Sequence, residues 1–336
     1  DVVEDGIVKN EIVDVSLEKT DATNPLLFSN YDHIYHLAAI YDLGASKEKT
    51  LLVNVQGTEN ILKKMDEDGF SGCFHSVSSI AVAGNFKGAF SELMFDEGQR
   101  QEHIYNRSKF LSEKLVREKR ESSPKYDVRI YRPSAIVGHS KTGEMDKIDG
   151  PYYGFSVVGG LKRVFPSWFP LALPKNNALM DMVPVDYVAD ALYSISQLDK
   201  VDNDQFCFHL TDPNAPTITT AIKLLLKAAD GPKVTATFNN GLTRMYPGLV
   251  SLAGNLQSVE TIKNEVLGRF DIPNQVFDAM MEGAEFDAAQ TTALLAKQGV
   301  VLPPFSSYVD NLWDYFNRHL DSKRNKASRY EKALRG

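Results

Sequence analysis

Phe74-His75-Ser76-Val77-Ser78-Ser79-Ile80, followed further along by Tyr105-Asn106-Arg107-Ser108-Lys109, decides how this chain is read. The first run has the β-branched and aromatic character of a strand and ends on a serine pair. The second opens a helix predicted over Tyr105 to Arg120, in which Phe110, Leu111, Leu115 and Val116 recur at helical spacing as an apolar face. Residues four apart share one side of a helix, so Tyr105 and Lys109 stand together. An ammonium beside a phenol favours its ionised form, and each unit of lowering from ~10 takes about 1.4 kcal/mol of differential stabilisation. With Ser79 near the strand end, the trio can protonate a carbonyl oxygen while a hydride arrives at its carbon.

Outward from that stretch the same rhythm repeats. Ile12-Val13-Asp14-Val15 and Ile34-Tyr35-His36-Leu37 read as strands, and Val128-Arg129-Ile130-Tyr131 as another that Pro133 ends. Between them a helix is predicted over Thr50 to Met65, with Leu51, Val55, Thr58, Ile61 and Leu62 at helical spacing. Such β-α-β-α alternation predicts an α/β fold: a Rossmann-like, doubly wound parallel sheet with helices on its faces. The rhythm breaks after Gly138, where residues 139–177 are rich in Gly, Pro and aromatics. Beyond them come a helix over Met182 to Leu198, a strand over Phe206 to Leu210, and helices over 217–230, 256–266, 286–298 and 306–320. Residues 1–138 and 178–212 are therefore assigned to the sheet core. Residues 139–177 and 213–320 form a smaller, mostly helical substrate lid, and 321–336 a charged linker or terminus.

Composition narrows the function. A chain of 336 residues, 43% hydrophobic and 24% charged, builds one large or two modest globular domains. A net charge of −7 argues against a nucleic-acid partner. Cys73 and Cys207 give neither a disulfide framework nor zinc spacing, and the seven histidines show no HExxH or paired arrangement, so no metal site is expected. Two separated thiols and no signal peptide at Asp1 lead to a reduced, cytoplasmic setting as the expectation. His36 and His75 stand on strands, where a satisfied core or edge histidine is the ordinary role. Tyr308, Leu312, Tyr315 and Phe316 fall at core spacing. Asp146 and Asp149 read as loop-fixing acceptors.

An ordered set of short motifs adds a resemblance. His36-Leu37-Ala38-Ala39, Asn54-Val55-Gln56-Gly57-Thr58, Val77 to Gly84, Tyr105-x-x-x-Lys109 and Arg132-Pro133 appear in the order of the extended short-chain dehydrogenase/reductases. The segments Gly143 to Tyr153, Phe165 to Pro170 and Val183 to Ala191, with Leu312-Trp313-Asp314-Tyr315, resemble more narrowly the fatty acyl-CoA and thioester reductase branch, the male-sterility NAD-binding type. The nearest likeness within it is the amino-terminal reductase domain of two-domain bacterial fatty acyl-CoA reductases.

The resemblance implies roles. Tyr105 is the proton donor, Lys109 the ribose anchor and phenol tuner, Ser79 a donor to the carbonyl, and Asn54 the helix residue that places the lysine. Asp14 and Val15 hold adenine. His36, Leu37, Ala38 and Ala39 run along the cofactor at a strand's carboxyl end, Pro133 flanks the nicotinamide, and Arg132 beside it counts among the cofactor-binding residues. Ser134 stands where many relatives have glycine. Half of the aromatic stretch Tyr152 to Trp168 also suits the core, and its prolines and family position favour an apolar wall for an acyl chain.

The implied reaction is NADPH-dependent reduction of a long-chain acyl thioester such as fatty acyl-CoA to the aldehyde, with NADH, and onward reduction to the alcohol, both left open. Peripheral contact with a membrane surface, and a second short-chain dehydrogenase domain after Gly336, are further implications. Relatives begin with a strand and Gly-x-x-Gly-x-x-Gly, which does not occur before Asp14; an incomplete beginning is the favoured reading. Two other functions stay open: a dehydrogenase acting on a steroid-like or nucleotide-sugar alcohol or ketone, and a non-catalytic binding module.

Overall fold

The computed structural model describes residues 2–3, 6–7, 27–40, 46–122, 125–145, 150–198, 205–238 and 284–320. Asp14, Val15, Asp146, Asp149, the helix expected over 256–266 and the tail after 320 lie outside the described residues.

In chain order the elements are strands β1 (Val2–Val3), β2 (Gly6–Ile7) and β3 (His33–His36), then helices α1 (Lys47–Leu51) and α2 (Gly57–Glu67) joined by a π-helical turn (Leu52–Gln56). Next come β4 (Cys73–Val77), β5 (Ala89–Phe90), α3 (Ile104–Ser122), β6 (Asp127–Pro133), β7 (Ala135–Val137) and α4 (Tyr152–Val164). They are followed by β8 (Pro170–Pro174), β9 (Met182–Pro184), α5 (Val185–Ser196), β10 (Cys207–Leu210) and α6 (Ile218–Ala228). Last are β11 (Lys233–Phe238), β12 (Glu285–Phe286), α7 (Ala289–Lys297) and α8 (Phe305–Tyr315), the last running into a π turn (Phe316–Leu320).

The chain divides into two compact units. The first comprises residues 1–85, 93–132 and 199–208, the second 86–92, 133–198 and 209–336.

The first unit carries a four-stranded sheet in the order β10-β6-β4-β3. β3 and β4 pair in parallel with His33 opposite Cys73, and β4 and β6 in parallel with Cys73 opposite Asp127. Helices cross between successive strands, as a parallel sheet requires. β4 and β6 are buried on both faces, which explains why they read as unbroken strand runs rather than as alternating ones. On one face Phe74, Val128 and Ile130 pack with Leu62 and Met65 of α2 and Val116 of α3.

Helix α3 departs from its predicted amphipathicity. Its most buried residues are Ser108, Lys109, Glu113 and Val116, whereas Phe110, Leu111 and Leu115 are only half-buried. The inward stripe is polar in the helix's first half because buried hydrogen-bond and charge partners wait for it there. The serine pair leads into a short 3-10 turn over Ile80–Ala83, which Ser79 caps by accepting a hydrogen bond from the Ala81 amide at 3.2 Å. Gly84 closes that turn at φ +51°, and a Cβ there would lie 2.4 Å from the Arg100 carbonyl oxygen, so the motif's last position admits only glycine.

In the second unit β7 pairs with β9, β8 with β11 and β5 with β12, all parallel. The helix expected from Met182 begins instead at Val185. Met182–Pro184 is a strand, since the ring of Pro184 keeps the preceding residue extended, and Pro184 itself, at ψ 148°, stands as the helix N-cap. The segment 139–177, assigned to the mostly helical lid, contains helix α4. Tyr152, Phe155 and Val158 enter the core of this unit with Leu225 of α6 and Leu312 of α8, leaving Val164 and Trp168 exposed. Tyr308, Leu312 and Phe316 are buried, as their spacing predicts. Gly143, at φ +71°, lies against the Asn311 carbonyl oxygen, 2.1 Å from where a Cβ would be. Among the described residues no helix is long and apolar enough to cross a membrane.

Candidate active site at the strand ends

Along the helix-facing side of the sheet the apolar run Ile34, Phe74 and Ile130 gives way, toward the carboxyl ends of the strands, to His36, Ser78 and Arg132. The first half of α3 meets that polar end. Lys109, almost fully buried, donates from Nζ to the Val77 carbonyl at 3.0 Å. Loss of hydration lowers its pKa to about 8, and the nearby Glu113 carboxylate opposes that fall. Tyr105 lies one turn earlier on the same helix, half-buried, and its carbonyl accepts the Ser108 hydroxyl at 2.8 Å. Ser79 is half-buried at the strand exit.

Asn54 sits at the centre of the π turn and is 2% exposed. Its Oδ1 accepts the Ile40 amide at 2.7 Å, and its Nδ2 donates to the Ile40 carbonyl at 3.1 Å and to Ser108 Oγ at 2.9 Å. One side chain thereby ties the loop after β3 to the helix that carries Tyr105 and Lys109. The Asn54 carbonyl accepts hydroxyls from Thr58 at 2.7 Å and Ser112 at 2.5 Å. Wider π turns recur at functional sites because they present backbone and side chain together in this way.

That network assigns the state of His36. Thr58 gives its proton to the Asn54 carbonyl, so its oxygen accepts from His36, at 2.9 Å, and the proton resides on His36 Nε2. Burial, helped by the Lys109 charge, lowers the imidazole to about 4, so it is neutral. Its Nδ1 is left as a buried acceptor with no hydrogen-bond partner among the described residues. Such an acceptor is completed by water or by a ligand's donor group. A small polar cleft here is lined by His36, Ala38, Ala39, Asn54, Lys109 and Glu113, among others. A nicotinamide dinucleotide fits these residues: Lys109 and His36 offer a donor and an acceptor, and Ala38 and Ala39, both exposed, present side chains small enough for close approach. Leu37 is 60% exposed.

Arg132 is fully buried. It donates from Nε and Nη2 to Glu113, at 3.1 and 2.6 Å, and from Nη2 to the Met94 carbonyl at 2.9 Å. Its guanidinium thus serves the interior of the first unit, a use that the motif alone does not disclose. Pro133 closes β6. Ser134 donates its amide to the Leu210 carbonyl at 3.0 Å.

Glu113, Ser108, Ser112 and Thr58 are the residues that sequence reasoning missed. Glu113 follows Lys109 by four positions, and that spacing was the available signal.

The histidines do pair in space. His33, Cys73 and His75 bring their ligand atoms within 4.8 Å of one another, since parallel register sets His33 opposite Cys73. His33 Nδ1 lies 3.0 Å from His75 Nε2, and His75 Nδ1 lies 2.8 Å from the Tyr131 hydroxyl, so the His75 nitrogens already have protein partners. Burial first, then the Arg129 charge, lowers His75 to about 3; burial raises the Cys73 thiol to about 11.

Fold and site define a nucleotide-binding α/β domain of the extended short-chain dehydrogenase/reductase class. Residues 14–192, more than half of the chain, match the male sterility protein family, an NAD-binding family. The chain belongs to that family, an NAD(P)-binding reductase family. A nonribosomal peptide synthetase of Aspergillus hancockii is 25% identical over 174 residues, 48% of this chain and 16% of that protein. The glycine betaine reductase of Emericella nidulans is 26% identical over 211 residues, 61% of this chain and 15% of the relative. The matched regions thus span about one sixth of each of these relatives. Among solved structures, the terminal R domain of the myxalamid PKS-NRPS pathway has a TM-score of 0.65 at 23% identity, over 88% of this chain and 70% of that one. RMD from Pseudomonas aeruginosa, solved with NADPH, has a TM-score of 0.58 at 16% identity, over 90% and 87%. At such identities the structures establish the fold.

Proposed function

We propose that this protein reduces a long-chain acyl thioester to the aldehyde with NADPH. The observation that carries the reading is Lys109, buried on the Val77 carbonyl at the carboxyl end of a parallel strand, on the helical face it shares with Tyr105. When bound, a nicotinamide dinucleotide supplies the hydride. Lys109 anchors the ribose hydroxyls and, as a cation, favours loss of the Tyr105 phenolic proton. The Ser79 hydroxyl donates to the substrate carbonyl oxygen, and Tyr105 delivers its proton there as the carbon becomes tetrahedral. The carbon–sulfur bond of the resulting thiohemiacetal then breaks. Its hydroxyl proton leaves with the thiol, and the carbonyl of the aldehyde forms.

Membership of the male sterility protein family supports the thioester reading, and a glycine betaine reductase among the relatives supports a reductive reaction. A long apolar acyl group is the part that rests on resemblance in residues 143–170. The test follows thiol release and NADPH oxidation together, with palmitoyl-CoA as substrate. Equal rates of the two support the proposal. Turnover of a ketone or a nucleotide sugar without thiol release would end it in favour of a dehydrogenase.

A further inference from the structure

We propose that Glu113 is the positioning residue of this centre: its carboxylate fastens the Ser78-Ser79 strand end to helix α3 and keeps Lys109 cationic. The inference rests on the reductase reading above and names a residue to which that reading gives no role.

Both Glu113 oxygens are engaged, and the side chain is wholly buried. Oε2 accepts the Ser78 hydroxyl at 2.6 Å and Arg132 Nε at 3.1 Å; Oε1 accepts Arg132 Nη2 at 2.6 Å and Arg117 Nε at 2.8 Å. Ser78 is further held through its amide, which donates to the Tyr131 carbonyl at 2.8 Å. Lys109 grips the carbonyl of Val77, and Glu113 grips the side chain of Ser78. Two residues one turn apart on α3 therefore clamp two consecutive residues of the strand end, and the next residue is Ser79.

The charges around Lys109 support the second role. Its own helix brings Tyr105 and Glu113, β3 brings His36, which is neutral, and β4 brings the Val77 carbonyl, while Arg117 of the same helix and Arg132 of β6 pair with the Glu113 carboxylate. Burial would raise the Glu113 carboxyl, but the two guanidiniums and Ser78 outweigh it and hold the carboxyl well below the usual carboxylate range. It is thus an anion at every working pH. Burial disfavours the charged lysine and the Glu113 carboxylate opposes that, so without the carboxylate Lys109 would keep the loss of hydration and lose the charge that offsets it. A purely structural ion pair would support the fold and leave the lysine's ionisation alone, and that difference is measurable.

The experiment titrates Lys109 by 13C NMR in lysine-labelled protein, its signal identified by its loss in Lys109→Arg, in the wild type and in Glu113→Gln. The expected result is a pKa at least one unit lower in the variant. The alkaline limb of kcat should move by the same amount, with partial return in Glu113→Asp. An unchanged lysine titration and an unchanged limb would overturn the proposal. Should the wild type fail to reduce thioesters, the functional reading falls, and the NMR titration still decides the role of Glu113. If Glu113→Gln does not fold, Ser78→Ala tests the clamp without stranding a charge. It removes one hydrogen bond to a carboxylate and is expected to lower kcat about tenfold or more, with the KM for NADPH within about twofold. An unaltered kcat would refute the clamp.

Discussion

Replacing Asn54 by alanine should weaken the fold and the cofactor site together, because one side chain holds three bonds between them. The amide joins Ile40 twice, at 2.7 and 3.1 Å, and Ser108 once, at 2.9 Å. A net value of about 1 kcal/mol for each gives a loss of about 3 kcal/mol. Ile40 is half-buried, so water can reach its released amide and carbonyl, which keeps the cost near that sum rather than well above it. The corresponding fall in melting temperature is about 4 °C for a chain of this length. The freed loop follows directly on His36 to Ala39, so affinity for NADPH should drop about tenfold or more, since a mobile loop has to be ordered on binding. Urea unfolding and fluorescence titration with NADPH measure the two effects. Asn54→Asp keeps the acceptor for the Ile40 amide, loses both donors and buries a charge, so it should do no better. A loss of stability below about 1 kcal/mol together with unchanged NADPH affinity would refute the tether.

Tyr105→Phe keeps the ring and removes the proton donor. It should cut the rate of thiol release by about 10²–10⁴ and leave NADPH affinity within about twofold. The rate should decline as pH rises through about 8, where Lys109 loses its proton; a plateau reaching pH 10 in the rate profile would contradict the cationic role. Stability moves the other way, because the unfolded lysine, at 10.5, holds its proton longer than the folded one. Between about 8 and 10.5 the Lys109 contribution to folding improves with pH, which urea unfolding across that window can check. Dialysis against EDTA should leave activity unchanged, because the His75 nitrogens are satisfied by His33 and Tyr131.

The sheet core was legible because β4 and β6 lie buried on both faces and keep strand character along their whole length. The strand at Met182–Pro184 was hidden because three residues carry no period, and its identity comes from pairing with Ala135–Val137, far away in sequence. Helix α4 was hidden by the glycines and prolines around it, although Tyr152 and Phe155 already stood at core spacing. In the site, Lys109 and Asn54 could be named from their motifs. Their partners could not, since Ser108 and Ser112 meet Asn54 only once α3 lies beside the π turn. His33 and His75 read as unrelated residues, because only the parallel register of two strands makes them neighbours. Glu113 was missed for another reason. A charge on a helix is ordinarily taken for the solvent side, and here a guanidinium from β6 draws it inward.

The central claim is thioester reduction at a centre built on Tyr105 and Lys109. Its most direct test uses the full-length protein with palmitoyl-CoA and NADPH, recording aldehyde, free thiol and oxidised cofactor in one time course, beside Tyr105→Phe. Equal amounts of thiol and aldehyde from the wild type, and neither from the variant above about one per cent of its rate, are predicted. Aldehyde and thiol formed equally fast by Tyr105→Phe, or NADPH oxidised by the wild type without thiol, would contradict the account.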